Sequence, residues 1–212
     1  MVRKSLLQEC KKVLTNDVYL YTFCFMESIE HHFRNATESG ANERQRMYRR
    51  LAAGELQRVL PGVMLESDVV LTDARVMSLL YARRPDAVMN LISALSHHKM
   101  TTQIPDALSV ALPRGVRMPP VYGVPVQVWY TSPALLKDCA MLVQGEFGDY
   151  RVTTPERTLV DCFKYRNKIG LSIFLEAVRM GQGKLNPSRI HYEATRLRVL
   201  NNMLPYLKSF FV

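Results

Sequence analysis

The period of the apolar positions changes along this chain, and each change marks an element. Leu6, Leu7, Cys10, Val13 and Leu14 recur at helical spacing within residues 5–14. Residues 18–25, VYLYTFCF, are apolar on both faces, so period does not separate helix from strand; their aromatic and β-branched content reads as a strand. A further helix is expected over residues 27–35. In residues 42–53, Met47, Tyr48 and Leu51 fall on one helical face, and Arg46, Arg49, Arg50 and Ala53 fall on the other. Ser39-Gly40-Ala41 supplies a turn before this helix. Asn42 reads as its N-cap, with Gln45 completing a capping box, and Gly54 stops it. Two short strands, residues 56–59 and 63–65, flank Pro61-Gly62, the preferred central pair of a type II turn.

Glu66-Ser67-Asp68 then marks a boundary between an N-terminal domain, residues 1–68, and a C-terminal domain, residues 69–212. Thr72 caps a helix that carries Val76, Leu79 and Leu80 and ends at Pro85. Asp86 is expected to open another, with Val88, Leu91, Ile92 and Leu95 as its core stripe. Leu108, Val110 and Leu112 alternate as a strand, as do Val124, Val126, Val128 and Tyr130. Between them PRGVRMPPVYGVP is a loop. Residues 140–144 and 150–153 look like hairpin partners across Gly145-Glu146-Phe147-Gly148. Thr154-Pro155-Glu156 opens a helix with cap, proline and acid in the favoured order. Three more helical stretches follow, one opened by Asn186-Pro187. Helices, then strands, then helices predict an α+β fold, its C-terminal domain holding a small antiparallel sheet with flanking helices.

Composition narrows the class. Hydrophobic residues make up 48% and charged residues 22%, the proportions of a chain that folds around a core. No apolar run approaches bilayer length, and the apolar stretch 18–26 lacks a cleavage pattern, so a cytoplasmic protein is expected. Cys10, Cys24, Cys139 and Cys162 show no CxxC spacing and read as buried thiols. His31-His32 and His97-His98 are adjacent pairs, which on a helix point apart, so structural roles are expected and no metal.

The net charge of +9 is unevenly spread, with ten basic and nine acidic residues up to Asp68 and eighteen and ten beyond it. In the first part the cations concentrate in one unit: turn, arginine-bearing helix, glycine stop, hairpin. That is the order a winged helix-turn-helix needs to place a helix in the DNA major groove. Candidate DNA-contacting residues are Asn42, Arg44, Gln45, Arg46, Arg49, Arg50 and Arg58, since arginine grips a guanine edge or a phosphate with paired hydrogen bonds. The competing reading is a solvated helix face. In the second part, Lys164, Arg166 and Lys168 close the helix begun at Pro155, where exposed carbonyls favour cations. With Arg114 and Arg117 on the proline-rich loop they are also candidates for one basic surface facing nucleic acid or an acidic protein.

An enzyme finds little support in the spacing. Pro85-Asp86 and Pro105-Asp106 each begin a PD-(D/E)xK nuclease pattern, but the ExK triplet, Glu9-Cys10-Lys11, lies upstream, and Gln182-Gly183-Lys184 falls in a loop. No P-loop is present. Arg157 and Asp161 are four apart on one helix, the spacing of a structural ion pair.

Longer segments carry a resemblance. LAAGELQRVLPGVML (51–65), ALSHHKMTTQIPDALSVALPRG (94–115), VTTPERTLVDCFKYRNKIGL (152–171) and RVLNNMLPYLKSF near the end resemble the AbiEi-type antitoxins of type IV toxin–antitoxin (abortive-infection) systems. The likeness covers most of the chain from about Gly40 and is most extensive in the C-terminal part. Family members usually carry a basic residue before the wing glycine, where this chain has Leu60-Pro61. The resemblance implies a winged-helix transcriptional regulator that represses its own promoter, so one partner is double-stranded DNA. It also implies a C-terminal antitoxin domain, in a phage-defence setting, that counteracts a nucleotidyltransferase-like toxin with or without binding it. No cofactor and no membrane partner are implied. The alternative is a non-enzymatic interaction protein binding RNA or a protein through its basic C-terminal domain.

Overall fold

The computed structural model describes residues 33–35 and 40–208. The helix expected over residues 5–14, the strand over 18–25, Cys10, Cys24, His31 and His32 lie outside the described residues. The first elements are β1 (Phe33–Asn35), α1 (Ala41–Ala52), β2 (Leu56–Leu60) and β3 (Val63–Glu66). β3 pairs antiparallel with both other strands, giving the order β1-β3-β2. Residues 33–35 are therefore strand rather than the end of a helix, and their pairing gives partners to the outer edge of β3.

Helix α1 starts two residues earlier than its polar pattern suggests. Gly40, in extended backbone, is the N-cap, and no side chain caps the helix. Asn42 thus sits inside the first turn, and the expected Asn42–Gln45 capping box does not form. At the other end Gly54 takes a φ of 78°, and the N–H of Glu55 donates to the Arg50 carbonyl at 3.0 Å, a left-handed glycine stop. Gly62, with a φ of 74°, turns β2 into β3 as Pro61-Gly62 predicts.

Next come α2 (Asp73–Arg83), whose cap Thr72 accepts a hydrogen bond from the Arg75 N–H, then β4 (Val88–Met89) and α3 (Leu91–His97). β5 (Leu108–Pro113) and β6 (Val126–Thr131) follow, then α4 (Pro133–Leu136) and the hairpin β7 (Ala140–Gly145) and β8 (Gly148–Thr153). The chain continues through α5 (Pro155–Lys164), α6 (Arg166–Ile169), α7 (Leu171–Gly181), α8 (Pro187–Arg196) and α9 (Leu200–Lys208). Caps at Thr154 and Asn186 each accept a backbone N–H, as their sequences anticipate.

The second sheet corrects the antiparallel expectation. Its order is β6-β5-β4-β8-β7, and the pairs β5–β6 and β4–β8 are parallel. The β4–β8 pair arises because β4 lies at the centre where a helix opened by Asp86 was expected; the β5–β6 pair arises because the connection over residues 114–125 returns the chain before β6 begins. Val88 and Met89 are buried, and a strand covered on both faces reads as a continuous apolar run rather than an alternation. The helix begins only after Asn90.

Apolar layers cover both faces of this mixed α/β arrangement. On one face Met89, Leu108, Val110, Leu112 and Val152 pack with Val76, Met77 and Leu80 of α2 and with Val59, Leu60, Val63 and Leu65 of β2 and β3. The hairpin before Glu66-Ser67-Asp68 and the helix after it therefore share one cluster. On the other face Leu91, Leu95, Trp129, Leu159, Phe163 and Phe174 join the helices α3, α5 and α7. No helix among the described residues is long and apolar enough to cross a membrane.

Candidate nucleic-acid interface

Met47 anchors α1. It is buried against Leu56 of β2 and Met64 of β3, with Leu51 partly covered one turn on. This narrow ridge of contact leaves the rest of the helix in water. Asn42, Arg44, Gln45, Arg46 and Arg49 are exposed. Arg44, Arg46 and Arg49 form no ion pair with any described residue. Tyr48, expected in the core, is 48% exposed: among the described residues the contact with the hairpin reaches Met47 and, in part, Leu51.

Two of the seven N-terminal candidates are engaged within the protein. Arg50 donates to Glu55 from Nε and to Glu66 from Nη2, each at 2.8 Å, so it ties α1 to the glycine stop and to β3. The Arg58 guanidinium lies 5.4 Å from the centre of the Tyr122 ring, and the Tyr122 N–H donates to the Val59 carbonyl at 2.9 Å. Arg58 thereby clamps the proline-rich loop onto the hairpin.

That loop begins with a tight turn. The Val116 N–H donates to the Pro113 carbonyl at 3.2 Å, and Gly115 has a φ of 86°, the left-handed third position of a type II turn. Arg114 occupies the second position, its N–H donating to Thr131 of β6 at 2.9 Å. Arg114, Gly115, Val116, Arg117 and Tyr130 line an open cleft of about 460 Å³. Tyr130 was not among the expected site residues. Its signal lay in the alternation of β6, where Val126 and Val128 pack inward and Tyr130, on the same face, stays 48% exposed.

The second cationic group sits nearby. Lys164 ends α5, but Arg166 and Lys168 belong to α6, so the three do not close one helix; Tyr165 interrupts it. All three lie against aromatic rings: Lys164 over Tyr165 at 5.5 Å, Arg166 over Phe163 at 4.3 Å and Lys168 over Trp129 at 5.4 Å. Arg166 also donates to the Phe163 carbonyl at 2.9 Å. Burial holds the Lys164 ammonium below its usual range; Asp161 opposes this, while Arg157 and Arg114 add to it. The strand directions place the loop after β5 and the end of α5 at the same end of the sheet.

Beneath this surface is a buried polar cluster. Arg157, 2% exposed, donates to Asp161 at 2.9 Å, to Glu193 at 3.2 Å and to the Leu135 carbonyl at 2.8 Å. Glu193 also accepts from Arg196. The cluster ties α5, α8 and the segment after β6 into one body. Cys139 and Cys162 are buried free thiols. His97 meets the Tyr150 hydroxyl at 3.2 Å, and His98 Nε2 donates to the Thr153 carbonyl at 2.7 Å, which accounts for both as structural residues. No cluster of potential metal ligands occurs among the described residues. No family model and no curated protein matches this sequence.

Proposed function

We propose that this chain is a DNA-binding transcriptional autorepressor and the antitoxin of a type IV toxin–antitoxin system. The observation that carries the DNA-binding half is a hairpin-braced helix with Arg46 and Arg49 together on its exposed face and Arg44 exposed near its start, none paired with a carboxylate among the described residues; a recognition helix followed by its wing would have this order. The start of such a helix approaches base edges. There Asn42 and Gln45 carry amides suited to adenine, and the arginines suit guanine or phosphate. Arg50 and Arg58 hold the unit together and leave the contact to the others. Leu60-Pro61 at the hairpin tip brings no cation, so the helix carries the binding energy in this reading.

The antitoxin half rests on the resemblance of the C-terminal segments to the AbiEi-type family. In that reading the C-terminal residues counteract a nucleotidyltransferase-like toxin without chemistry of their own, acting on the toxin or at its cellular target. The test has two parts. In a gel shift, the protein is titrated against the duplex upstream of its own gene and a scrambled duplex at two salt concentrations. Tighter binding to its own upstream sequence is expected, weakening as salt rises. Co-expression with the product of the adjacent gene should restore growth. Equal binding to both duplexes, or toxicity unchanged by co-expression, contradicts the respective half.

A further inference from the structure

We infer that the cleft between the Pro113–Val116 turn and β6 binds single-stranded nucleic acid. This surface is separate from α1 and independent of the duplex-binding proposal. The cleft volume of about 460 Å³ can admit a nucleotide. Its lining pairs one exposed aromatic ring, Tyr130, with two exposed arginines, Arg114 and Arg117, neither of which has a carboxylate partner among the described residues. An aromatic face flanked by cations is the device that holds a single strand, with a base stacked on the ring and phosphates on the cations. A duplex cannot use it, because its bases already stack on each other.

The site is built rather than incidental. Arg114 is fixed at the second position of a type II turn that Gly115 makes possible, and its backbone is bonded to β6. The far end of the loop is clamped to β2 through Tyr122, so the cleft wall is held at both ends. Lys164 at the end of α5 and Lys168 over Trp129 lie at the same end of the sheet as the turn. A base on the Tyr130 ring would use the aromatic face and the cations together, whereas polyglutamate offers charge alone.

The experiment is fluorescence anisotropy with the full chain and labelled probes about a dozen nucleotides long, a length suited to one such site. The probes are oligo(dT), oligo(rU), a duplex of the same length and polyglutamate. Binding of oligo(dT) or oligo(rU) in preference to polyglutamate is expected, and the better of the two identifies DNA or RNA as the strand. Tyr130→Leu should weaken that binding roughly five-fold or more, and Tyr130→Phe should leave it within about two-fold. Arg114→Gln with Arg117→Gln should reduce the log–log salt slope by about 1.4, or about 0.7 for each single-strand phosphate no longer neutralised. Emission from Trp129, the one tryptophan, verifies that each variant is folded. Arg46→Ala with Arg49→Ala should keep single-strand affinity whatever it does to duplex binding, so the two proposals fail separately. Absence of single-strand binding, equal affinity for polyglutamate, full affinity in Tyr130→Leu, or loss of single-strand affinity in the α1 variant would each overturn the inference.

Discussion

Arg157 and Arg46 are the same residue put to opposite uses. Arg157 is buried on α5 and hydrogen-bonded to Asp161, Glu193 and a carbonyl. Arg46 stands on α1 in water, paired with no carboxylate among the described residues. A buried guanidinium with every partner in place is a fastener, and a solvated one without partners is available to an outside anion. Arg50 is intermediate: its place on α1 resembles that of Arg46, yet Glu55 and Glu66 occupy it. Burial and carboxylates, more than the helix an arginine sits on, separate the two populations.

The largest expected effect breaks the fastener. Arg157→Ala leaves two carboxylates buried without that cation, so unfolding in urea should show a loss of about 3–5 kcal/mol. Arg46→Ala, at a solvated position, should change stability by no more than about 0.5 kcal/mol. Similar losses in the two variants would erase the distinction. Next in size is the anchor of the exposed helix. Met47→Ala removes the one fully buried side chain of α1 and should cost about 2 kcal/mol, read as roughly thirty-fold faster hydrogen exchange of α1 amides. Unchanged exchange would mean that α1 is held by something other than the Met47 ridge.

Much of this contrast was legible in the sequence, because local rules govern it. The glycine stop, the Pro61-Gly62 turn, the Thr72, Thr154 and Asn186 caps and the alternation of β5 and β6 all follow from residues within a few positions of each other. Other features depend on distant partners and were not legible. β4 is two residues long and becomes a strand only through neighbours from β5 and β8. Tyr48 has the phase of a core residue, but among the described residues the contact with the hairpin is confined to Met47 and Leu51. Arg50 has the phase of a DNA-facing residue, but the glycine stop brings Glu55 to it and the hairpin brings Glu66. The Arg157–Asp161 pair was visible as a spacing; its burial and its third partner, Glu193, were not.

A smaller effect concerns pH. Burial lowers the pKa of both His97 and His98; His98 adds to the shift of His97, while the Thr153 carbonyl and Glu156 oppose that of His98. The folded state then binds protons less readily than the unfolded chain. Stability from these residues is complete above the unfolded histidine pKa of about 6.5 and is lost as pH falls below it. Thermal unfolding should therefore move to lower temperature between about pH 7.5 and about pH 5.5, and His97→Asn with His98→Asn should flatten that slope. A slope unchanged in the double variant would assign the acid sensitivity to other groups. Arginines stay charged throughout this range, so the contrast between Arg157 and Arg46 should persist.

Whether the unpaired arginines of α1 meet DNA is the central question. The most direct measurement is the salt dependence of affinity for the upstream duplex, compared between the wild-type chain and Arg46→Ala with Arg49→Ala. If these arginines grip phosphates, the variant should fold normally, bind more weakly and show a log–log slope shallower by about 0.9 for each phosphate no longer neutralised. If an arginine reads a base instead, preference for the specific duplex should fall by roughly 1–3 kcal/mol. An unchanged slope together with unchanged preference would contradict a DNA-facing role for α1.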